Sequence, residues 1–220
     1  TFIEKTGYVT EAEKFGDGVV FDFEQSNWVL VPNATWEYPQ GPSGEKAHDN
    51  HPVTMLSYND VVEYLSWVGK RLPTEIEWEH AARGISLRDN PYSWGQELLE
   101  NDTTYMANTW NGVFPIMNTI DDGYLTTSPV GTFGTNQFDL SDMGGNVWEW
   151  TSDWYRSYEE YNQPYTINPG SQKVLRGGSF LCHTSYCHGY RVSARSYTPI
   201  DNSMFHLGFR GVKSVDNILD

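Results

Sequence analysis

The sequence predicts one domain of short helices and short strands carried on a large proportion of loop. Three observations predict it. Hydrophobic residues fill only 38% of the 220 positions while aromatics reach 15%, with nine Trp and fourteen Tyr. Such a chain packs with large rigid rings rather than with long aliphatic helices. Only two segments show well-capped helical periodicity, and the stretch from Pro91 to Asp142 shows no regular periodicity, far more than an ordinary connection. No repeat, low-complexity tract or hinge-like composition shift divides the chain, so residues 1–220 read as a single domain, long enough to bury a real core.

Taken in order, Phe2, Ile3 and Lys5 suggest a short helix broken at Gly7, followed by a turn of charged residues up to Phe15. Val19–Phe23 is β-prone, and Asn27–Val31 is a second apolar run closed by Pro32 and Asn33. Pro39, Gly41, Pro42 and Gly44 make Trp36–Ala47 a loop. The clearest helix starts at Ser57, where Ser57 and Asp60 pair as an N-cap, Val61, Leu65 and Val68 keep helical spacing, and Gly69 supplies the break. A second begins at Thr74, with a capping box to Glu77 and an end at Gly84. Both are expected to wall the core.

Turn chemistry at Pro91–Gly95, Asn108–Gly112 and Asp121–Gly123 fills the irregular stretch. Something other than backbone ladders must order it. Either hard cations held by oxygen ligands do so, with Asn108, Asp121, Asp122, Asp139, Asp142 and Glu149 available, or these are solvated turn residues. Beyond it, Met143–Trp154 and Lys173–Ser179 each read as a short strand beside a tight glycine turn. Tyr190–Arg195 and Leu207–Val212 alternate as sheet segments do.

The net charge of −15 argues against nucleic acid as a partner, because phosphates would be repelled. No run of eighteen apolar residues exists to span a membrane. Thr1–Lys5 has neither a signal peptide's apolar core nor a starting Met, so a processed or truncated start is expected. The only two cysteines, Cys182 and Cys187, lie five positions apart in a stretch rich in glycine, serine and aromatics. They are a disulfide, a metal or redox pair, or chance. As structural economy a bridge here is poor, since so small a loop removes little unfolded-state entropy. On a straight strand residues five apart face opposite ways, so sharing a metal requires a bend, for which Thr184 and Ser185 are suitable.

The run Gly177-Gly-Ser-Phe-Leu-Cys182-His-Thr-Ser-Tyr-Cys187 resembles the active-site segment of the formylglycine-generating enzymes, the sulfatase-modifying factor family. Thr6–Gly16, His51-Pro-Val, Gly69–Trp78, Gly145–Trp154 and Leu207–Arg210 resemble the same family, in its order. The resemblance implies a single irregular α+β domain related to C-type-lectin-like folds. It implies a copper-dependent oxidase that converts a cysteine of an unfolded sulfatase polypeptide, in a Cys-x-Pro-x-Arg type motif, to Cα-formylglycine with O2 and a thiol reductant. Cys182 and Cys187 would hold Cu(I), since paired thiolates suit that soft ion. Ser179 would lie beside the incoming substrate sulfur, and His183 and His188 would not be ligands. Two structural Ca2+ ions are implied. One would use Asn108, the Thr109 carbonyl, Asp122 and the Tyr124 carbonyl; the other Asp142, the Gly145 and Val147 carbonyls and Glu149.

Departures from the family pattern refine this. Leu65, Ala82, Val192 and Gly211 stand where vertebrate members carry disulfide cysteines, which suggests the prokaryotic type and a reducing cytoplasm. A monomer is expected. His206 replaces a frequent asparagine, and the strands that usually precede the Thr6-Gly-Tyr segment have no counterpart here. Alternatives are a non-catalytic binding or display protein on the same fold, and a related oxidase acting on another thiol.

Overall fold

The computed structural model describes residues 1–85 and 89–214. Its N-terminal part is a pair of one-turn helices and a hairpin. Helix α1 (Phe2–Thr6) ends at Gly7 in the left-handed conformation. In place of the expected charged turn there is a second helix, α2 (Glu11–Phe15), closed by a reciprocal capping box between Thr10 and Glu13. Two orphan N–H groups are thereby satisfied, enough to hold a single turn whose Ala12 is fully buried. Strands β1 (Asp17–Asp22) and β2 (Asn27–Pro32) then pair antiparallel in continuous register.

The expected pair of capped helices is present. Helix α3 (Tyr58–Trp67) carries the Ser57–Asp60 box and α4 (Glu75–Arg83) the Thr74–Glu77 box. The Asp60 carboxylate also accepts from Tyr8 Oη at 2.9 Å and Glu11 N at 3.0 Å, which ties α1 and α2 to α3.

Among the described residues between α4 and the main sheet lie two small ribbons, β3 (Leu99–Glu100) with β4 (Thr104–Tyr105), and β5 (Gly112–Val113) with β6 (Met117–Asn118). The four-stranded sheet runs in the order β10-β7-β8-β9, with β7 Trp148–Trp154, β8 Gln172–Arg176, β9 Ser196–Pro199 and β10 Leu207–Gly208. Tyr190–Arg195 is not the strand its alternation suggests. The Arg176 guanidinium takes the carbonyls of Val192, Ser193 and Ala194 at 2.7, 3.4 and 2.8 Å, so a charged side chain replaces the ladder there and pairing starts at Ser196. Leu207–Val212 pairs over only two residues before an isolated bridge to Arg71.

The largest buried cluster joins α3 to the sheet through Val61, Leu65, Trp148, Trp150 and Leu207, and includes Cys182. The positions without disulfide cysteines are filled by apolar contact: a methyl on Gly211 would strike Leu65, while Ala82 and Val192 share one buried cluster. Among the described residues no helix is long and apolar enough to cross a membrane.

Candidate active site

Strand β8 delivers the chain to Gly177 and Gly178, both at positive φ, and thence into the cysteine loop. At Gly178 the conformation is compulsory, because a Cβ would lie 2.5 Å from Tyr190 N and 2.6 Å from the Gly189 carbonyl carbon. Gly189 closes the other end of the loop, and a Cβ there would meet the Trp148 ring at 2.6 Å and Cys182 Sγ at 2.9 Å. Two backbones and a sulfur are thus packed as closely as glycine allows.

The loop bends where Thr184 and Ser185 stand, with Tyr186 N and His188 N both donating to His183 O. The bend brings Cys182 and Cys187 to a Cα separation of 5.5 Å, where they form a disulfide. Cys182 is buried; Cys187 is partly exposed. Ser179, itself fully buried, folds around the inner sulfur: its N–H donates to Cys182 Sγ at 3.4 Å and its hydroxyl accepts from Leu181 N at 3.3 Å. The sequence-predicted triad of Ser179, Cys182 and Cys187 is therefore one constellation. Each histidine beside it has a partner, His183 Nδ1 with Ser185 Oγ at 2.7 Å and His188 Nε2 with Tyr92 Oη at 3.1 Å. Of the tryptophans, Trp148 and Trp150 are core, and Trp36 is partly buried with its Nε1 unpaired.

The first proposed oxygen cluster also converges. Asp122 accepts from Thr109 N at 2.8 Å and Tyr124 N at 3.1 Å, and burial pushes its carboxyl above the usual range. Asn108 is fully buried; its amide donates to Thr126 O at 2.7 Å while its Oδ1 has no partner. In the second cluster Asp142, Val147 and Glu149 line a 210 Å³ cavity with Arg210. Burial raises the Asp142 carboxyl despite the nearby guanidinium. Gly145 is held by a bond from its N–H to Gly177 O.

Three participants escaped the sequence reading. Arg210 grips Glu149 with both arms, at 2.6 and 2.7 Å, while Trp78 Nε1 donates to the same carboxylate at 2.7 Å. Asn146 bridges the irregular segment to the cysteine loop: its N–H donates to Asn108 O, its Oδ1 accepts from Ser128 N, and its carbonyl accepts from Phe180 N. Phe114 stacks on Tyr186 at 4.3 Å. Arg210 and Asn146 sit inside recognisable motifs, but nothing local gives their partners. Among the described residues no three His, Cys, Asp or Glu side chains are grouped to hold a metal.

The profile of the family described as sulfatase-modifying factor enzyme 1-like domain matches residues 1–215. The mouse protein named formylglycine-generating enzyme is 44% identical over 228 residues, covering 95% of this chain, which spans 61% of that relative. A protein of the same name from Thermomonospora curvata is 44% identical over 231 residues, covering 95% of this chain and 76% of its own length. In structure, PvdO from Pseudomonas aeruginosa superposes with a TM-score of 0.66 over 94% of this chain and 72% of its own, at 23% identity. That likeness bears on the fold alone.

Proposed function

Because the chain belongs to the sulfatase-modifying factor enzyme 1-like family, with the α+β, C-type-lectin-like fold of that family, we propose that it oxidises a cysteine of an unfolded sulfatase polypeptide to Cα-formylglycine, using copper and O2. The observation that carries this reading is the constellation itself: two sulfurs facing across a bend with Ser179 wrapped around the inner one.

The donor set fits Cu(I). Two thiolates are soft ligands, and the lack of a third side-chain ligand among the described residues leaves room for a substrate thiolate. Copper, when bound, would supply one-electron chemistry with O2. The overall change balances when one substrate thiol, one O2, two electrons and two protons give one aldehyde, one hydrogen sulfide and one water. A thiol reductant therefore supplies two electrons per turnover. A further two electrons must first open the Cys182–Cys187 bond, and attack at Cys187, the more exposed sulfur, leaves Cys182 as the departing thiolate. The Ser179 N–H favours that thiolate by hydrogen bonding to the charged form. The glycines at 178 and 189 let the backbone and the Trp148 ring pack closely about the inner sulfur, which is buried from water.

We assign the two oxygen clusters to structural Ca2+. Support comes from the unpaired Oδ1 of buried Asn108 and the half-buried Asp122 that accepts from the next residue's N–H, and from a cavity whose two carboxylates face one guanidinium. The test is incubation of the reduced protein with Cu(I), O2, a thiol and a Cys-x-Pro-x-Arg peptide, followed by mass spectrometry and metal analysis. Aldehyde formation that is lost in both Cys182→Ala and Cys187→Ala is expected. Unchanged peptide together with no copper uptake would overturn the reading.

A further inference from the structure

The residue after Cys187 holds a conformation that its own chemistry does not favour. His188 lies at φ +44°, in the left-handed region that suits glycine and penalises a residue bearing a Cβ. Such strain persists only where the surroundings impose it. Here the imposing contact comes from far away in the chain. Tyr92 Oη and His188 Nε2 are hydrogen-bonded at 3.1 Å, across a separation of 96 positions.

The phenol that makes this bond is itself well held. Tyr92 is buried, and its ring stacks on Trp94 at 5.0 Å and on Tyr190 at 5.8 Å. Backbone bonds between Tyr92 and Gly95 close the turn that carries it, and Val192 N donates to Pro91 O at 2.8 Å. The turn at 91–95 is thus joined to the segment that leaves the cysteine loop. The His188 ring meets the edge of Tyr190 at 5.0 Å, so the imidazole is gripped by two tyrosines.

The consequence falls on Cys187. Its neighbour's backbone and ring are fixed, which fixes the direction in which the Cys187 side chain leaves the loop. Cys182 is held separately, by the Ser179 N–H and by the close packing around Gly189. Once the disulfide is reduced, no covalent bond keeps the sulfurs opposed, and the Tyr92–His188 bond remains.

We propose that Tyr92 is a positioning residue for Cys187. Acting through His188, it keeps the two sulfurs facing each other in the reduced chain, which favours the disulfide and the joint capture of one soft ion alike. This deepens the oxidase reading of the pair, and its first test needs neither copper nor turnover.

That test is equilibration with glutathione. Two protein thiols and one glutathione disulfide give the protein disulfide and two glutathione thiols. A bond that merely braced the fold would stabilise the oxidised and reduced forms alike and leave this equilibrium unmoved. Tyr92→Phe keeps the ring and removes the hydroxyl. It is expected to lower the equilibrium constant about tenfold, which raises the potential of the pair by about 30 mV. Competition with a chromogenic Cu(I) chelator is expected to show about a tenfold loss of affinity in the same variant. His188→Asn tolerates the left-handed backbone but is too short to reach Tyr92, and should match Tyr92→Phe. The double variant should be no worse than either single one. A native equilibrium constant in Tyr92→Phe, or single effects that simply add in the double variant, overturns the proposal. If the equilibrium shifts as expected while even the native protein takes up no Cu(I), the copper reading fails and the positioning role stands.

Discussion

Gly189 determines how close the sulfur may lie to Trp148. A methyl added there meets both groups below 3 Å, so the ring or the loop must shift to admit it. Gly189→Ala is expected to destabilise the fold by about 1–3 kcal/mol, the usual cost of overpacking, and to slow re-formation of the Cys182–Cys187 bond. Thermal melting and a thiol titration read the two effects. His206 sits at the same scale. It is buried against Trp28 with Nδ1 unpaired, and burial pushes its pKa down to about 3. Above pH about 6.5 the imidazole is neutral folded or unfolded and has no effect on the balance. As pH falls from there towards 3 the unfolded chain takes up a proton that the folded chain refuses, so stability declines. His206→Gln is expected to flatten that acid limb in melts collected from pH 7 to pH 4; an unchanged slope would assign the decline to other groups. Neither residue announces its role in the sequence, because each role depends on a neighbour far along the chain.

Elements with local chemistry are legible, and those decided by distant charge are not. The helices α3 and α4 follow from Ser57–Asp60 and Thr74–Glu77, whose boxes form as written. The same signal exists at Thr10 and Glu13, but five residues are too few to show periodicity, so α2 reads as a turn. Strand β9 starts later than expected because alternation at Tyr190–Arg195 reports burial without reporting where the carbonyls go. They go to Arg176, which is wholly buried and also salt-bridged to Glu79 and, at 3.4 Å, to Glu75. Arg195 shares Glu75 through two bonds at 2.6 and 2.8 Å, which closes the network between α4 and the sheet. Arg176→Ala strips three carbonyls and a carboxylate of their donor and is expected to cost about 3–5 kcal/mol. Arg176→Lys should recover only part of this, since a single ammonium cannot span the positions of a planar fork. Denaturant midpoints at constant slope measure both.

For the whole molecule, the spacing of the cysteines alone leaves disulfide, metal pair and chance open. The motifs around them, spread from Thr6 to Arg210, point to the family, and the family profile matches residues 1–215. What the sequence could not show is how the irregular half is held. The segment from Asn108 to Glu149 contributes two ribbon strands of two residues each and little other ladder, yet Asn108, Asn111, Asn146, Glu149 and Thr109 within it are all buried. Its hydrogen bonds converge on Asp122, Asn146 and Glu149, and next to Asn146 the buried Asn108 Oδ1 has no partner. Cations at these points would couple the segment to the cysteine loop through Asn146 and Phe180. A calcium chelator is therefore expected to lower the melting temperature. An ion present at a hundred times its Kd contributes about 2.7 kcal/mol, or roughly 5–10 °C for a chain of this size. Limited proteolysis should then cut first between Asn108 and Glu149, and excess Ca2+ should restore protection, with Mg2+ less effective because it demands octahedral geometry and keeps its waters. A melt indifferent to chelator, with no calcium in the purified protein, would remove the ions and leave the hydrogen-bond network alone to hold this half of the fold.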